Sequence, residues 1–370
     1  MWLPVPFTLM NDIKAMKKAL KKRHAERTDV PTGFLGCGST VVNLACTNTP
    51  DGTFKKGKFH LVVGDSASGK TFLLLTTLAE AAQRKDFKEF RFIYDDVEGG
   101  ALMNIKKFFG ESLAARLEAP AYEDGERLHS TTIEEFFFHV DDAVCAGKPF
   151  IYILDSMDSL SSEAEQDKFQ KTKKAHRSGK AATGSFGDGK AKKNSSGVRQ
   201  LLTPIEKMGS IVIVVCQTRD NIGSIFGGKT RSGGKAPRFY ACLEIWLSIK
   251  EDIKRTIAGK LRPIGTLSRV QIKKNRITGG LHNVFVPIYR KYGIDDVGSC
   301  VDFLVNEKHW SVKGKGLITA KEFKVKKSRD LLIRHIEGKG LEKNLQKIVA
   351  SVWAEIEAGC ELKNRKKRYL

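Results

Sequence analysis

The run Gly64-Asp65-Ser66-Ala67-Ser68-Gly69-Lys70-Thr71 fits the pattern Gly-x4-Gly-Lys-[Ser/Thr], and it constrains this chain more than any other stretch. Before it, Phe59-His60-Leu61-Val62-Val63 is short and apolar enough to be a buried parallel strand. After it, residues 72–82 read as a helix. A glycine-bearing turn between strand and helix aims backbone N–H groups and a helix N-terminus at one point, which suits a polyphosphate. On this reading Lys70 reaches the β- and γ-phosphates, and the Thr71 hydroxyl ligates Mg²⁺. The alternative is an ordinary Gly/Ser-rich turn, and the complete pattern in its proper context weighs against it.

Further strands fall into place around that loop. Residues 90–96 read as a second buried strand ending in acids, followed by Glu98 and a helical stretch over 101–109. Residues 110–148 look mostly helical, most clearly over 133–146. Phe150-Ile151-Tyr152-Ile153-Leu154 forms a third strand that stays apolar until Asp155. A lone Asp at a strand tip is often a helix cap. Beside a complete phosphate loop it is better placed to hold the Mg²⁺ shell together with Thr71. Residues 210–217 give a fourth buried strand, ending in Gln217. Glu98, Asp155 and Gln217 then converge on one loop, as ligand-binding groups do at the carboxyl ends of a parallel sheet.

The remaining stretches are more basic. Residues 8–28 predict a basic amphipathic helix with Leu9, Ile13, Met16 and Leu20 at helical spacing. Residues 163–199 combine low hydrophobicity, many lysines and glycines, and predict a mobile surface loop, with a helix resuming over 198–208. A second Gly- and cation-rich segment occupies 219–235. Strands over 241–250, 269–277 and 283–288 read as antiparallel additions at one sheet edge. From Asp302 a small module follows with two helices, closing on a basic run at 363–368.

The formal net charge of +22 points to a polyanionic partner, of which nucleic acid is the commonest, against the alternative of solubilising surface charge. The longest apolar runs are strand-sized, so no membrane partner is expected, and the start of the chain lacks a secretory pattern. Seven cysteines without Cys-x-x-Cys spacing fit reduced thiols in a cytoplasmic compartment and make zinc a poor expectation.

The motif order, phosphate loop then Glu98, Asp155, Gln217 and a Gly-rich basic loop, resembles the RecA recombinase family. The run from Ile222-Gly223 and Phe226-Gly227 through Thr230, Gly233-Gly234-Lys235 and Phe239-Tyr240-Ala241 is similar to the family's second DNA-binding loop. Val270-Gln271-Ile272-Lys273-Lys274-Asn275-Arg276 resembles its Val-Lys-Asn-Lys strand, and Tyr292-Gly293-Ile294 its Tyr-Gly turn. The resemblance spans about residues 30–300, and the divergence looks like that of a phage or prophage relative. It implies an α/β fold: a RecA-like P-loop ATPase core with a mostly parallel central sheet over 34–300. An N-terminal helical segment over 1–33 and a small C-terminal module over 301–370 would flank it.

The same resemblance implies a DNA-dependent ATPase that forms helical filaments on single-stranded DNA and exchanges it with a homologous duplex, using ATP and Mg²⁺. Glu98 would orient or deprotonate the attacking water, and Gln217 would sense the γ-phosphate. Lys274 and Arg276 would enter a neighbouring subunit's site, and Tyr292 would pack on the base or serve as an ordinary turn aromatic. The DNA groove would draw on Lys190, Lys192, Lys193 and Arg199 from the first loop. The second loop would supply Arg219, Ile222, Phe226, Lys229, Arg231 and Lys235. Two features depart from the family: the chain ends basic rather than acidic, and Leu102 stands near the place of an expected adenine-side Asp. A ring helicase on the same core and a non-catalytic, ATP-liganded mediator are the rival readings.

Overall fold

The computed structural model describes residues 33–178, 189–220, 229–231, 236–314, 316–362 and 365. One large sheet organises them. Its strands are β1 (Lys58–Gly64), β2 (Arg91–Asp96), β3 (Leu117–Glu118), β4 (Phe150–Asp155), β5 (Ile211–Asp220), β6 (Lys229–Arg231), β7 (Leu243–Ile257), β8 (Lys260–Asn275), β9 (Asn283–Tyr289) and β10 (Gly293–Ile294). The spatial order is β10-β9-β8-β7-β1-β5-β4-β2-β3, with β6 pairing on the far end of β5. From β7 to β3 all neighbours run parallel. From β7 outward to β10 the pairing is antiparallel.

The parallel strands are mostly apolar because both faces of the sheet are covered. Side chains alternate between two cores: Val62, Ile151, Ile153, Ile211, Ile213 and Val215 enter one, while Leu61, Val63, Tyr152, Leu154, Val212 and Val214 enter the other. The first core receives α1 (Thr40–Thr47) and α2 (Lys70–Gln83). The second is closed by α3 (Ile133–Cys145) and by α5 (Gly189–Met208), through Phe136, Val140, Val198 and Ile205. Between them in sequence lies α4 (Glu163–Arg177).

Several expectations require correction. Residues 163–177 form helix α4, not a loop. No residue of α4 is buried, so it leaves no apolar period in the sequence; its start is set instead by a reciprocal capping box between Ser162 and Glu165. Helix α5 begins at Gly189, ahead of residue 198. Within 110–148 the short strands Leu117–Glu118, Ala121–Glu123 and Glu126–Leu128 interrupt the helices. Strand β7 is not an antiparallel addition on its inner side: Glu244 to Leu247 pair parallel with Leu61 to Gly64, and antiparallel pairing starts between β7 and β8. The polar half of β7 and of β8 runs past that contact as a long hairpin.

Helix α6 (Asp296–Asn306) leads to β11 (Ser311–Lys313), β12 (Leu317–Ala320) and β13 (Val325–Ser328), a small antiparallel sheet too short and lysine-rich to signal itself. The two expected helices follow as α7 (Arg329–Gly338) and α8 (Glu342–Gly359). Helix α8 is tied to α1 by Trp353 Nε1–H donating to Asn48 Oδ1 at 2.9 Å and by Gln346 Nε2 donating to Thr40 Oγ1 at 3.1 Å. The predicted helix over 8–28 and the end of the basic run at 366–368 lie outside the described residues. Among the described residues no helix is long and apolar enough to cross a membrane.

Candidate active site

The strand register puts the key groups on one rim. Gly64 of β1 lies beside Gln217 of β5, and Asp155 of β4 lies beside Asp96 of β2, all at the carboxyl ends. The loop between β1 and α2 is shaped by its glycines. Gly69 caps α2 in the left-handed region at φ +94, and a Cβ there would meet Ile288 Cδ1 at 2.4 Å. At Gly64 a Cβ would stand 2.3 Å from the Leu247 carbonyl oxygen. Ser268 Oγ–H holds the loop from β8 by donating to Ser68 O at 2.9 Å.

Lys70 is buried and donates to the carbonyls of Gly64 at 2.9 Å and Asp65 at 2.6 Å. Burial lowers its ammonium below the ordinary value, against the pull of the carboxylates of Asp155 and Glu98. Thr71 Oγ1 donates to Asp155 Oδ2 at 2.7 Å, and Tyr94 OH donates to the same oxygen at 2.8 Å. Burial raises the Asp155 carboxyl, although the hydrogen bonds from Thr71 and Tyr94 oppose it. A buried carboxylate beside a hydroxyl is a hard-oxygen pair, and it fits a magnesium ion that keeps most of its water shell. Thr71 and Asp155 are the residues that would hold it.

Glu98 lies just beyond the tip of β2. Its Oε1 accepts from Ser156 Oγ, from Ser159 Oγ at 3.1 Å and from Gln217 Nε2 at 2.9 Å. Burial would raise this carboxyl, but those donors, Ser156 first, outweigh it and keep Glu98 below its usual range. The Gln217 backbone N–H donates to Asp158 Oδ2 at 2.6 Å, and Arg219 comes within 3.7 Å of the same carboxylate. Tyr94, Ser156, Asp158 and Ser159 were not singled out in the sequence. Their signal was adjacency: three of them lie within four residues after Asp155 in the chain.

A cavity of about 330 Å³ opens at the loop, lined by Ala67 to Phe72, Met103, Thr266, Ser268, Ile288, Tyr289 and Arg290. Tyr292 does not line it. That side chain is 61% exposed, lies on the adjoining groove and points its hydroxyl toward Glu337 at 3.4 Å. Leu102 is exposed, and its neighbour Met103 reaches the cavity.

The other expected residues fall in two places. Lys274 pairs with Glu244, which pairs with Leu61, so Lys274 is level with the middle of β1 and, with Arg276, set back from the phosphate loop. Lys274 Nζ donates to the carbonyls of Arg238 and Phe239, and Arg276 donates to Phe239 O at 2.7 Å. Lys193 pairs with Glu134, and Arg199 is exposed. Thr218 and Lys229 both reach Asp65 of the phosphate loop. The Ile222, Phe226 and Lys235 expectations, and the side chains of Lys190, Lys192 and Arg231, lie outside the described residues.

The model of the RecA N-terminal domain matches residues 152–295. Over 309 residues the chain is 27% identical to protein RecA of Cereibacter sphaeroides, covering 79% of this chain and 80% of the relative. Protein RecA of Rhizobium leguminosarum bv. viciae is likewise 27% identical over 309 residues, or 79% and 78%. Protein RecA of Caulobacter vibrioides is 28% identical over 295 residues, or 78% and 71%. These similarities support a RecA-type family. The domain match includes Asp155, Gln217, Lys274, Arg276 and Tyr292 but begins beyond the phosphate loop. In this chain one rim of the sheet therefore joins a candidate phosphate loop, a candidate metal pair and a hydrogen bond from Gln217 to Glu98.

Proposed function

We propose that this RecA-type chain is an ATP-dependent DNA recombinase. It would assemble as a filament on single-stranded DNA, with ATP and Mg²⁺ between subunits, and pair that strand with a homologous duplex. The observation that carries the reading is the Glu98–Gln217 hydrogen bond at the root of the 219–235 segment. It gives the nucleotide and the cation-rich segment a shared polar group.

In this mechanism Lys70 turns from the loop carbonyls to the β- and γ-phosphates, and the loop N–H groups fix their oxygens. Magnesium, when bound at Thr71 and Asp155, supplies charge compensation to the phosphates. Glu98 stays ionised under its hydroxyl and amide donors, so it orients the attacking water as a hydrogen-bond acceptor. Gln217 reports the state of the γ-phosphate by exchanging its amide between that phosphate and Glu98. Lys274 and Arg276 act on an adjacent subunit's nucleotide. Arg199, Arg219, Lys229 and the other cations expected in the two basic segments serve the DNA backbone, with largely sequence-blind, salt-sensitive binding. Tyr292 stands with the base-side groove as a proposed contact.

The test is ATP turnover with and without single-stranded DNA, at several salt concentrations, for wild type and Lys70→Ala. DNA should stimulate the wild type, and Lys70→Ala should lose at least about a hundredfold of turnover together with strand exchange. Normal strand exchange by Lys70→Ala would refute the reading. Closed rings with DNA in electron micrographs would move it to a helicase.

A further inference from the structure

Asp65 belongs to the phosphate loop by its backbone and to the neighbouring ribbon by its side chain. Its carbonyl accepts from Lys70 Nζ at 2.6 Å and from Ser68 Oγ at 2.7 Å, so its position depends on the residues that form the cradle. Its carboxylate reaches outward: Oδ1 accepts from the Thr218 hydroxyl, and Oδ2 pairs with Lys229 Nζ at 2.5 Å. Those two partners stand on opposite strands. Thr218 is paired with Arg231, and Lys229 with Asp220, in the antiparallel ribbon formed by β5 and β6. One carboxylate therefore holds both strands of the ribbon that frames the Gly-rich segment. Burial alone would raise the Asp65 carboxyl, but the hydrogen bonds from Lys229 and Thr218 prevail and keep it ionised.

We propose that Asp65 is a positioning residue that couples the phosphate loop to this ribbon, competing with a polynucleotide's phosphates for Lys229 and losing its hold when a nucleoside triphosphate occupies the loop. The inference rests on the recombinase reading and adds a route separate from Glu98 and Gln217. Its physics is charge competition. A triphosphate adds several negative charges beside a carboxylate that is already anionic, and that repulsion weakens the carboxylate's place at the loop. The Asp65–Lys229 pair is half-exposed, so the exchange needs no buried charge to be stranded. Freed from Asp65, Lys229 adds one cation to the DNA-facing set.

The test is fluorescence anisotropy of a labelled oligothymidylate, with and without a non-hydrolysable ATP analogue and Mg²⁺. Wild type should bind more tightly with the analogue. Asp65→Asn should tighten analogue-free binding about tenfold and collapse the analogue-dependent ratio, while Asp65→Glu keeps both near wild type. Thr218→Val breaks the other contact without touching a DNA cation, and should shift analogue-free binding the same way. It carries the test alone if thermal melting shows that Asp65→Asn does not fold. The clasp is overturned if the folded variants bind within twofold of wild type without analogue, while wild type still responds to it. A wild type that ignores the analogue, or does not bind the oligonucleotide, overturns the recombinase reading itself.

Discussion

Gln217 Nε2 donates to Glu98 Oε1 across 2.9 Å, linking the last residue of β5 paired with β1 to a residue two past the end of β2, although β4 lies between β5 and β2. Two further donors, Ser156 and Ser159, share that oxygen, so Gln217 can leave without stranding the carboxylate. This makes the contact exchangeable, which a sensor requires.

Removing the amide should separate two activities. Gln217→Ala is expected to bind ATP within about threefold of wild type, because truncating the side chain leaves the backbone pairing beside Gly64 in place, and to lose tenfold or more of the DNA stimulation of turnover. Equilibrium nucleotide binding set against DNA-stimulated hydrolysis checks this. Equal stimulation in the variant would remove Gln217 from the coupling.

Glu98→Gln keeps the shape and exchanges a charged acceptor for a neutral amide. ATP binding should survive, while turnover falls by about 10²–10⁴-fold, the range for losing a positioned general base. Complexes with DNA should persist longer as a result. Single-turnover hydrolysis and dissociation from labelled DNA measure both effects, and wild-type turnover would exclude Glu98 from the chemistry.

How much of this could be read beforehand depended on whether burial or a charge relay did the signalling. Strands β1, β2, β4 and β5 announce themselves because two packed faces force unbroken apolar runs, and the phosphate loop because its glycines are sterically required. Helix α4 carries no buried face and β11 to β13 are short, so periodicity had little to act on. In the site, Asp155 and Thr71 met as expected. The roles of Ser156, Ser159 and Tyr94 arise only when separate strands place hydroxyls against carboxylates. Asp65 appeared in the sequence as one variable position of a motif, and its pairing with Lys229 spans 164 residues.

His60 supplies a stability prediction. It is fully buried on β1, its Nε2 bonds to Lys55 O at 3.1 Å, and its ring meets Phe54 edge-on. Burial lowers its pKa from 6.5 to about 4, so the folded chain keeps it neutral where the unfolded chain takes up a proton. The sign follows: its contribution is complete above pH 6.5 and is lost as pH falls toward 4, reaching about 3 kcal/mol at most. His60→Gln should be less stable at pH 7.5 but show a flatter decline between pH 6.5 and 4. Denaturant midpoints across that interval decide it; parallel declines for the two proteins would contradict the assignment.

Lys274 and Arg276 give the sharpest test of assembly. Lys274 is level with Leu61, three residues back from Gly64 in the register, which sets it back roughly 10 Å along the strand direction and a further two strands to the side. Their donors meet backbone carbonyls of Arg238 and Phe239, so neither cation touches the phosphate loop of its own chain. If they serve the next subunit, Arg276→Ala should lower turnover by about 10³-fold or more, the scale for a cation supplied in trans, while nucleotide still binds. An equal mixture with Lys70→Ala then becomes informative, because one variant retains the loop and the other the cation. In a head-to-tail filament about one interface in four would combine both, restoring roughly a quarter of wild-type turnover. Neither variant alone should recover it. A mixture no more active than its components would show that Arg276 does not act across subunits.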